Sequence, residues 1–199
     1  MPTSRLPCSF YARDTVVVAR DILGKRLVRE TDEVRISGII VETEAYRGEE
    51  DLACHARFGR TPRTEIMYGK PGRAYIYFIY GMHWLLNFVT EKEGFPGAVL
   101  IRSIRPEEGL DFISSRRNGQ PKRAWTDGPA KLCQALAIDG ELNGLDACTS
   151  DARIYLEDGE KITPEMIRTS PRVGINAVPE PWNSVDWRFV VNYQSLMAS

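Results

Sequence analysis

The feature that most constrains the fold is a pair of apolar runs on either side of one glycine. Residues 73–79 and 84–90 are rich in aromatic and aliphatic side chains, and Gly81 lies between them. Such runs are typical of β-strands, and a glycine between them permits a tight turn. Strands joined by so short a connection can pair only in antiparallel fashion. The segment therefore predicts a β-hairpin with Tyr80 beside its turn.

The remaining elements follow the same order of short strands and turns. A second hairpin is predicted over residues 25–30 and 34–43, and further strands over residues 98–104, 153–156 and 186–193. One helix is predicted from Asp14, as the cap, through Leu23. A second is predicted to open at Thr126-Asp-Gly-Pro129, with a capping residue and a proline in its first turn, and to run to about Ala137. Residues 47–72 are predicted to form a long functional loop. Because hairpins rather than βαβ units dominate, we expect one α+β domain, residues 1–199, around an antiparallel sheet.

Composition and charge argue against several classes of protein. No apolar run approaches the roughly 20 residues that span a bilayer, and the N-terminus lacks the apolar core of a signal peptide. The net charge of −1 argues against a protein that coats nucleic acid indiscriminately. The four cysteines stand singly, so we expect neither a zinc cage nor a disulfide framework, and a reducing, intracellular setting. They are Cys8, Cys54, Cys133 and Cys148.

The basic residues form two local clusters despite the nearly neutral total. Residues 54–73 contain five cations and one acid, Glu65, and a second cluster between Phe112 and Thr126 contains no acid. The cations are Arg57, Arg60, Arg63, Lys70 and Arg73 in the first cluster, and Arg116, Arg117, Lys122 and Arg123 in the second. Each cluster alone could be a solvated loop. Together they favour a local phosphate-binding face.

Two carboxylates are predicted where the buried strand 34–43 ends. Glu42 and Glu44 share one face there, and Tyr46 and His55 follow. An isolated glutamate at a strand end is most often a solvent-exposed charge. In this setting Glu44 can instead deprotonate a water molecule or stabilise a sugar with oxocarbenium character. Glu42, Glu44 and His55 could also bind a hard metal ion, a weaker alternative because the chain has two histidines and Asp51 is the only aspartate nearby.

The aromatic strand presents different side chains on its two faces. Tyr75, Tyr77 and Ile79 alternate with Ile76 and Phe78, and core packing is the ordinary explanation for such a strand. Buried phenols, however, need polar partners or water. A ring beside the turn, near arginines, is a poor core element and a suitable wedge between stacked bases.

Several longer motifs together resemble the alkyladenine (3-methyladenine) DNA glycosylase family, and they cover roughly residues 12–175 in the family's order. The motifs are Val41-Glu-Thr-Glu-Ala-Tyr46, His55, Gly59-Arg-Thr-Pro-Arg63, Lys70-Pro-Gly72, Tyr77, Tyr80-Gly-Met82, Asn87, Leu100-Ile-Arg102, Gly128-Pro-Ala-Lys-Leu-Cys-Gln-Ala-Leu136 and Arg172-Val-Gly174. The resemblance implies a mixed domain with a curved antiparallel sheet, or open roll, surrounded by helices and a protruding hairpin.

The resemblance also implies a role for individual side chains. Glu44 matches the general base, and Arg102 with the Val173 carbonyl matches the groups that hold the attacking water. The residues that match the walls of the base pocket are Tyr46, His55, Tyr77 and Asn87, the last of which screens purines at the guanine 2-amino position. The residues expected to contact DNA are Tyr80, which fills the gap left by the flipped nucleotide, Met82, Arg63 and Lys131 at a helix start.

The function implied is that of a monofunctional DNA glycosylase in base excision repair. Such an enzyme flips out alkylated or deaminated purines and hydrolyses the glycosidic bond, leaving an abasic site. The substrates implied are 3-methyladenine and 7-methylguanine, with hypoxanthine and ethenoadenine left open. We expect a monomer that acts on double-stranded DNA without cofactor, metal or membrane, in a bacterial cytoplasm near the nucleoid, or in a nucleus if the source is eukaryotic. A silent damage-binding protein and a metal-dependent nuclease are the alternatives.

Overall fold

One antiparallel sheet organises the chain, which the computed structural model describes over residues 5–192. Its spatial order is β3-β4-β5-β2-β1-β6, with β8 paired to β2 and β7 paired to β8. The strands are β1 (Arg26–Glu30), β2 (Arg35–Arg47), β3 (Ala74–Ile79), β4 (His83–Val89), β5 (Gly97–Glu108), β6 (Ile154–Glu157), β7 (Ile167–Ser170) and β8 (Arg188–Val191). The sheet is open rather than closed into a barrel, which confirms the predicted α+β class. Residue 193, the end of the last predicted strand, lies outside the described residues.

The central strand β2 is longer than predicted. It pairs with β5 from Ser37 to Arg47, and with β8 at residues 42–44. The prediction that the strand ends at Thr43 was wrong because pairing on both edges carries it through the polar residues that follow. Glu42 and Glu44 therefore lie inside a strand rather than at its end.

The pairing of β2 with β5 is irregular between Ser37 and Gly38 and again between Ile40 and Thr43, and the second irregularity lies beside the two glutamates. Ile40 pairs with Ile104 and Thr43 pairs with Ile101, whereas Glu42 pairs with Ser103. In this register, neither Val41 on β2 nor Arg102 on β5 has a paired residue on the other strand. Irregularities of this kind occur next to active sites, where they redirect side chains.

Four α-helices accompany the sheet in the described chain: α1 (Cys8–Tyr11), α2 (Thr15–Asp21), α3 (Leu110–Arg116) and α4 (Pro129–Leu136). The Asp14 carboxylate accepts hydrogen bonds from the first turn of α2, as predicted. The predicted opening of α4 places its proline correctly, since Pro129 is the first residue of the helix, but Gly128, which has no side chain that could cap the helix, precedes it. The Thr126 hydroxyl donates to the Ile104 carbonyl instead. No helix within residues 5–192 has the length and apolar character needed to cross a membrane.

The buried core lies between the helices and one face of the sheet. It includes side chains of α2 and α4 together with Ile40, Ala45, Ile76 and Phe88. A smaller apolar cluster, which includes Cys54, Met67 and Tyr75, lies under the 47–72 loop. That loop contains only two single 3₁₀ turns, His55–Phe58 and Glu65–Tyr68.

The expectation that the cysteines form no disulfide framework was wrong for two of the four. Cys8 at the start of α1 forms a disulfide with Cys148, 140 positions later, at a Cα–Cα distance of 5.5 Å. Single cysteines so far apart carry no spacing signal, because the fold alone brings them together. Cys54 and Cys133 are free thiols and are buried.

The hairpin of β3 and β4 ends in a tight turn that presents two large apolar side chains. Ile79 accepts a hydrogen bond from the Met82 amide, and the two central residues, Tyr80 and Gly81, have φ values of 51° and 66°. Positive φ at both positions is the mark of the type I′ turns that suit hairpins. A tyrosine in this region is strained, which points to a constraint other than packing.

Candidate active site

A cavity of about 250 Å³ opens beside the hairpin. Its walls come from β2 to β5, the 47–72 loop and the segment 173–175, and they combine aromatic rings with polar side chains. The volume lies below the roughly 300–1,000 Å³ of sites for drug-sized ligands, so the cavity suits a small ligand. The lining residues on which the following argument depends are Tyr46, His55, Tyr77, Asn87, Arg102 and Val173.

Glu44 lies behind the wall of this cavity and is fully buried. One carboxylate oxygen accepts the Val173 amide at 2.7 Å, and the other accepts the Tyr46 hydroxyl at 2.8 Å. The second oxygen also faces Arg102 Nη1 at 3.3 Å. A carboxylate offers about four acceptor positions, so three donors leave about one for a further partner.

Arg102 connects the two glutamates of β2. Its Nε donates to Glu42 at 2.8 Å, while Nη1 faces Glu44. Glu42 Oε1 also accepts Arg188 Nε at 2.7 Å. Burial by itself lowers the pKa of the Arg102 guanidinium, but the charges of Glu44 and Glu42 reverse that effect and raise it. Glu42 therefore orients two arginines, a role that spacing along the strand did not reveal.

A buried ion pair holds the segment that carries Val173. Arg172 donates to both oxygens of Asp51, at 2.5 and 2.9 Å, and both side chains are fully buried. The same guanidinium donates to the Ala45 carbonyl and lies 4.8 Å from the Tyr46 ring. Sequence reasoning weighed Asp51 as a metal ligand and gave Arg172 no role. The signal that could have identified Arg172 was its position in the motif Arg172-Val-Gly174, next to Val173.

Histidine and tyrosine rings form one wall of the cavity. The ring of His55 lies edge to face with that of Tyr77, with centroids 4.6 Å apart. His55 Nδ1 lies 2.9 Å from the Tyr75 hydroxyl, and Nε2 lies 3.4 Å from Arg63 Nη2. Because a guanidinium can only donate, Nε2 accepts and the ring proton lies on Nδ1, from which it is donated to Tyr75.

The surroundings of these rings hold each of them in its neutral form. Burial, helped by Arg63 and Arg57, lowers the pKa of His55 to about 4. Burial raises the pKa of Tyr75 to about 12, and burial together with Glu44 raises the pKa of Tyr46 well above its ordinary value. At neutral pH the wall is therefore uncharged, with hydroxyl groups that can donate.

Asn87 closes the cavity from β4. Its side chain is buried, and its Nδ2 donates to the Tyr75 carbonyl at 3.0 Å. This bond fixes the amide against the neighbouring strand, so its position in the cavity is determined by the sheet.

The predicted DNA-contacting residues are distributed over the rim and beyond it. Tyr80 and Met82 are 86% and 67% exposed at the hairpin turn, and the Arg63 guanidinium lies 5.3 Å from the Tyr77 ring. Lys131, in the first turn of α4, pairs with Asp127 at 2.8 Å. Tyr80 also lines the cavity, so this side chain connects the exposed turn with the buried site.

Two cations of the second basic cluster form hydrogen bonds within the protein. Arg116 donates to the Ala135 carbonyl, and Arg117 binds Gln134 and the Ala124 carbonyl, contacts that hold α3 near α4. These two cations support the fold, whereas Lys122 and Arg123 border a separate groove beside Thr126.

The proposed metal ligands do not come together. Among residues 5–192, the one group of three or more ligand side chains close enough to share an ion is Cys8, Asp146 and Cys148, and both of its sulfurs are in the disulfide. Glu42 and Glu44 bind Arg102, while His55 binds Tyr75 and Arg63. This geometry argues against the nuclease alternative.

Comparison with known proteins gives matches over nearly the whole chain. The model of the methylpurine-DNA glycosylase family matches residues 9–195. A protein of Methanocella arvoryzae is 48% identical over 91% of this chain and 92% of its own length, and one of Carboxydothermus hydrogenoformans is 49% identical over 86% and 89%. One of Desulfitobacterium hafniense is 46% identical over 93% and 94%. All three bear the name "Putative 3-methyladenine DNA glycosylase".

Proposed function

Because the chain belongs to the methylpurine-DNA glycosylase family, we propose that it releases 3-methyladenine and 7-methylguanine from double-stranded DNA. The reaction is hydrolysis of the N-glycosidic bond, and the product is an intact strand with an abasic site. The observation that carries this proposal is Glu44, a fully buried carboxylate beside an aromatic cavity, held by Val173, Tyr46 and Arg102.

The cavity recognises the damaged base through its charge. Alkylation at N3 or N7 makes a purine cationic, and a cation over an aromatic face gains about 0.5–2 kcal/mol. The walls that receive it are Tyr46, Tyr77 and His55, all neutral at pH 7. A protonated His55 would repel the same base, so its lowered pKa suits a cationic ligand. Asn87 crowds the 2-amino position of guanine and so lowers the affinity for normal purines.

Glu44 activates the water and compensates the positive charge on the sugar. Its remaining acceptor position takes a proton from a water that Arg102 and the Val173 carbonyl hold on the sugar side. A fixed carboxylate also stabilises the oxocarbenium character of the transition state without having to reorganise. The alkylated base leaves readily because it is already cationic, so this site needs no strong general acid.

The purine reaches the cavity by leaving the duplex. Flipping costs a few kcal/mol, and less for a damaged or mispaired base. Tyr80 enters the vacated space from the minor groove, with Met82 beside it, while Arg63 and Lys131 contact phosphates. The strained backbone and high exposure of Tyr80 support this assignment.

The mechanism proceeds without a covalent enzyme–sugar intermediate. A Schiff-base lyase needs an amine at the sugar carbon. Within residues 5–192, the side chains that line the cavity include no lysine. We therefore expect borohydride to trap no stoichiometric protein–DNA adduct during turnover.

We expect this site to be less active on damaged purines that carry no charge. Hypoxanthine needs a hydrogen bond to its leaving group, and His55 already donates its Nδ1 proton to Tyr75. We therefore expect release of 3-methyladenine and 7-methylguanine to be faster than release of hypoxanthine or ethenoadenine, with the tyrosine hydroxyls as the remaining donors.

The deciding experiment measures free bases released from methylated duplex DNA under single-turnover conditions. The wild-type protein should release 3-methyladenine and 7-methylguanine equally well with and without a chelator. Glu44→Gln should lose several orders of magnitude in rate but keep its DNA affinity, because the amide is nearly isosteric but accepts no proton. Glu42→Gln, the matched control two positions away, should lose much less.

Three results would reject the proposal. Near-normal release by Glu44→Gln removes this residue from the mechanism. Binding of lesion DNA without any base release by the wild-type protein would identify a damage-binding protein, and loss of activity with chelator would favour a metal-dependent enzyme.

A further inference from the structure

Phe58 is an exposed aromatic residue that the proposed mechanism does not use. It closes the 3₁₀ turn His55–Phe58, and 73% of its surface is open to solvent. The Arg57 guanidinium lies 4.5 Å from the centroid of its ring. A ring that is mostly exposed and has an arginine over it contributes little to a core, so a role in stability does not explain it.

A second cavity adjoins this ring. It has a volume of about 290 Å³ and is lined by Phe58, Arg57 and Arg63 among others. Four residues, Ala53, His55, Gly174 and Ile175, line this cavity and the base cavity alike. The two cavities are therefore neighbours that share one wall, which includes His55.

The charges around the second cavity suit a nucleic-acid backbone. Over residues 5–192, neither Arg57 nor Arg63 forms an ion pair with a carboxylate: Arg57 donates to the Leu52 carbonyl and Arg63 to His55. Arg60 pairs with Glu65 at 3.6 Å, and both of those side chains are more than half exposed. Cationic groups next to an exposed ring are the combination that tracks a phosphodiester chain and stacks its bases.

We propose that Phe58 and the second cavity form a subsite for the nucleotide next to the excised purine on the same strand. Phe58 stacks on the base of that nucleotide, and Arg57 and Arg63 face its phosphate. We assign this nucleotide to the same strand because the two cavities share a wall. The nucleotide closest to one bound in the base cavity is its neighbour along the strand, to which a single phosphodiester joins it. This inference rests on the proposed glycosylase function.

The test combines a protein variant with removal of single bases from the DNA. Dissociation constants are measured on duplexes with an abasic-site analogue at the lesion, and a second analogue replaces the 5′ neighbour, the 3′ neighbour or a base of the opposite strand. Phe58→Ala should weaken binding about tenfold, as expected for the loss of one stack. Removal of the contacted neighbour should weaken wild-type binding similarly and have little further effect on Phe58→Ala.

Two protein controls separate stacking from folding. Phe58→Tyr keeps the ring and should keep the affinity, and the melting temperature of Phe58→Ala should equal that of the wild type. Phe112→Ala removes another partly exposed phenylalanine with an arginine over its ring, Arg116 at 5.9 Å, and lines neither cavity. It should leave both the affinity and the effect of the neighbouring base unchanged.

Two results would overturn the subsite. One is equal affinity of Phe58→Ala and wild type on every duplex. The other is an effect of Phe58 that is lost only when a base of the opposite strand is removed. These outcomes are independent of catalysis: a wild-type protein that releases no base rejects the glycosylase function, whereas one that releases bases normally but shows no dependence on Phe58 rejects only the subsite.

Discussion

His55 accepts one hydrogen bond and donates another. Its lowered pKa means that adding a proton to the folded side chain costs free energy. The unfolded side chain binds a proton near pH 6.5, whereas the folded one does so near pH 4. Between these values the unfolded state holds more protons, so stability is lost as pH falls from about 6.5 to 4 and is unaffected above that window. We expect the free energy of unfolding of His55→Gln to depend less on pH there than that of the wild type. Identical pH profiles would contradict the lowered pKa.

Tyr80 and Arg63 lie at the same rim but should affect DNA binding differently. Loss of one base–aromatic stack costs about 1–3 kcal/mol, so Tyr80→Ala should weaken lesion binding while binding of undamaged DNA changes little. Arg63→Ala should lower both affinities together, because it removes a phosphate contact. Binding titrations on lesion and undamaged duplexes measure both. A Tyr80→Ala protein with a markedly lower melting temperature and intact selectivity would show that the ring is structural.

At the scale of the elements, the Arg172–Asp51 pair fastens the segment 172–175 to the 47–72 loop. Asp51→Asn leaves a buried guanidinium without its counter-charge, which costs about 3–5 kcal/mol. Excision should also slow, because Val173 is the next residue and its amide holds Glu44. Urea unfolding and single-turnover release measure the two effects. Glu65→Gln, which breaks the exposed pair with Arg60, is the control and should cost less than about 1 kcal/mol.

The sequence predicted the elements that carry their own signals. The β3–β4 hairpin and the Asp14 cap follow from alternation and capping chemistry, both local. The extent of β2, the helix α3 and the role of Glu42 were missed, because they depend on partners such as β5, β8 and Arg188 that lie far away in the chain. The candidate site was predicted in part: the motif resemblance implied that Tyr46, His55 and Tyr77 form the walls of a base pocket. The pairing of Asp51 with Arg172 was missed, because these residues meet only in the fold.

At the scale of the whole molecule, the Cys8–Cys148 disulfide joins the beginning of the described chain to a loop 140 positions later. A cross-link over so long a segment restricts the unfolded state, and its removal typically costs about 2–5 kcal/mol. We expect dithiothreitol to lower the urea midpoint of the wild type but not that of Cys8→Ser. Base release at 25 °C should be unchanged, since neither sulfur lines the base cavity. A midpoint insensitive to reductant would show that the bond contributes nothing to stability.

The irregularity at Val41 and Arg102 affects which face of the sheet the following side chains of β2 and β5 occupy. Before it, Ile40 and Ile104 point into the core; beyond it, Thr43, whose hydroxyl reaches α2, and Ile101 do so. Each step is three positions, an odd number, so at this level each strand has one residue more than plain alternation needs, and the two strands stay in phase with each other. Deletion of Val41 would remove that extra residue from β2 only. Thr43 and Ala45 would still point into the core and Glu44 toward the cavity, but β2 would then have one residue fewer than β5 between the two core levels.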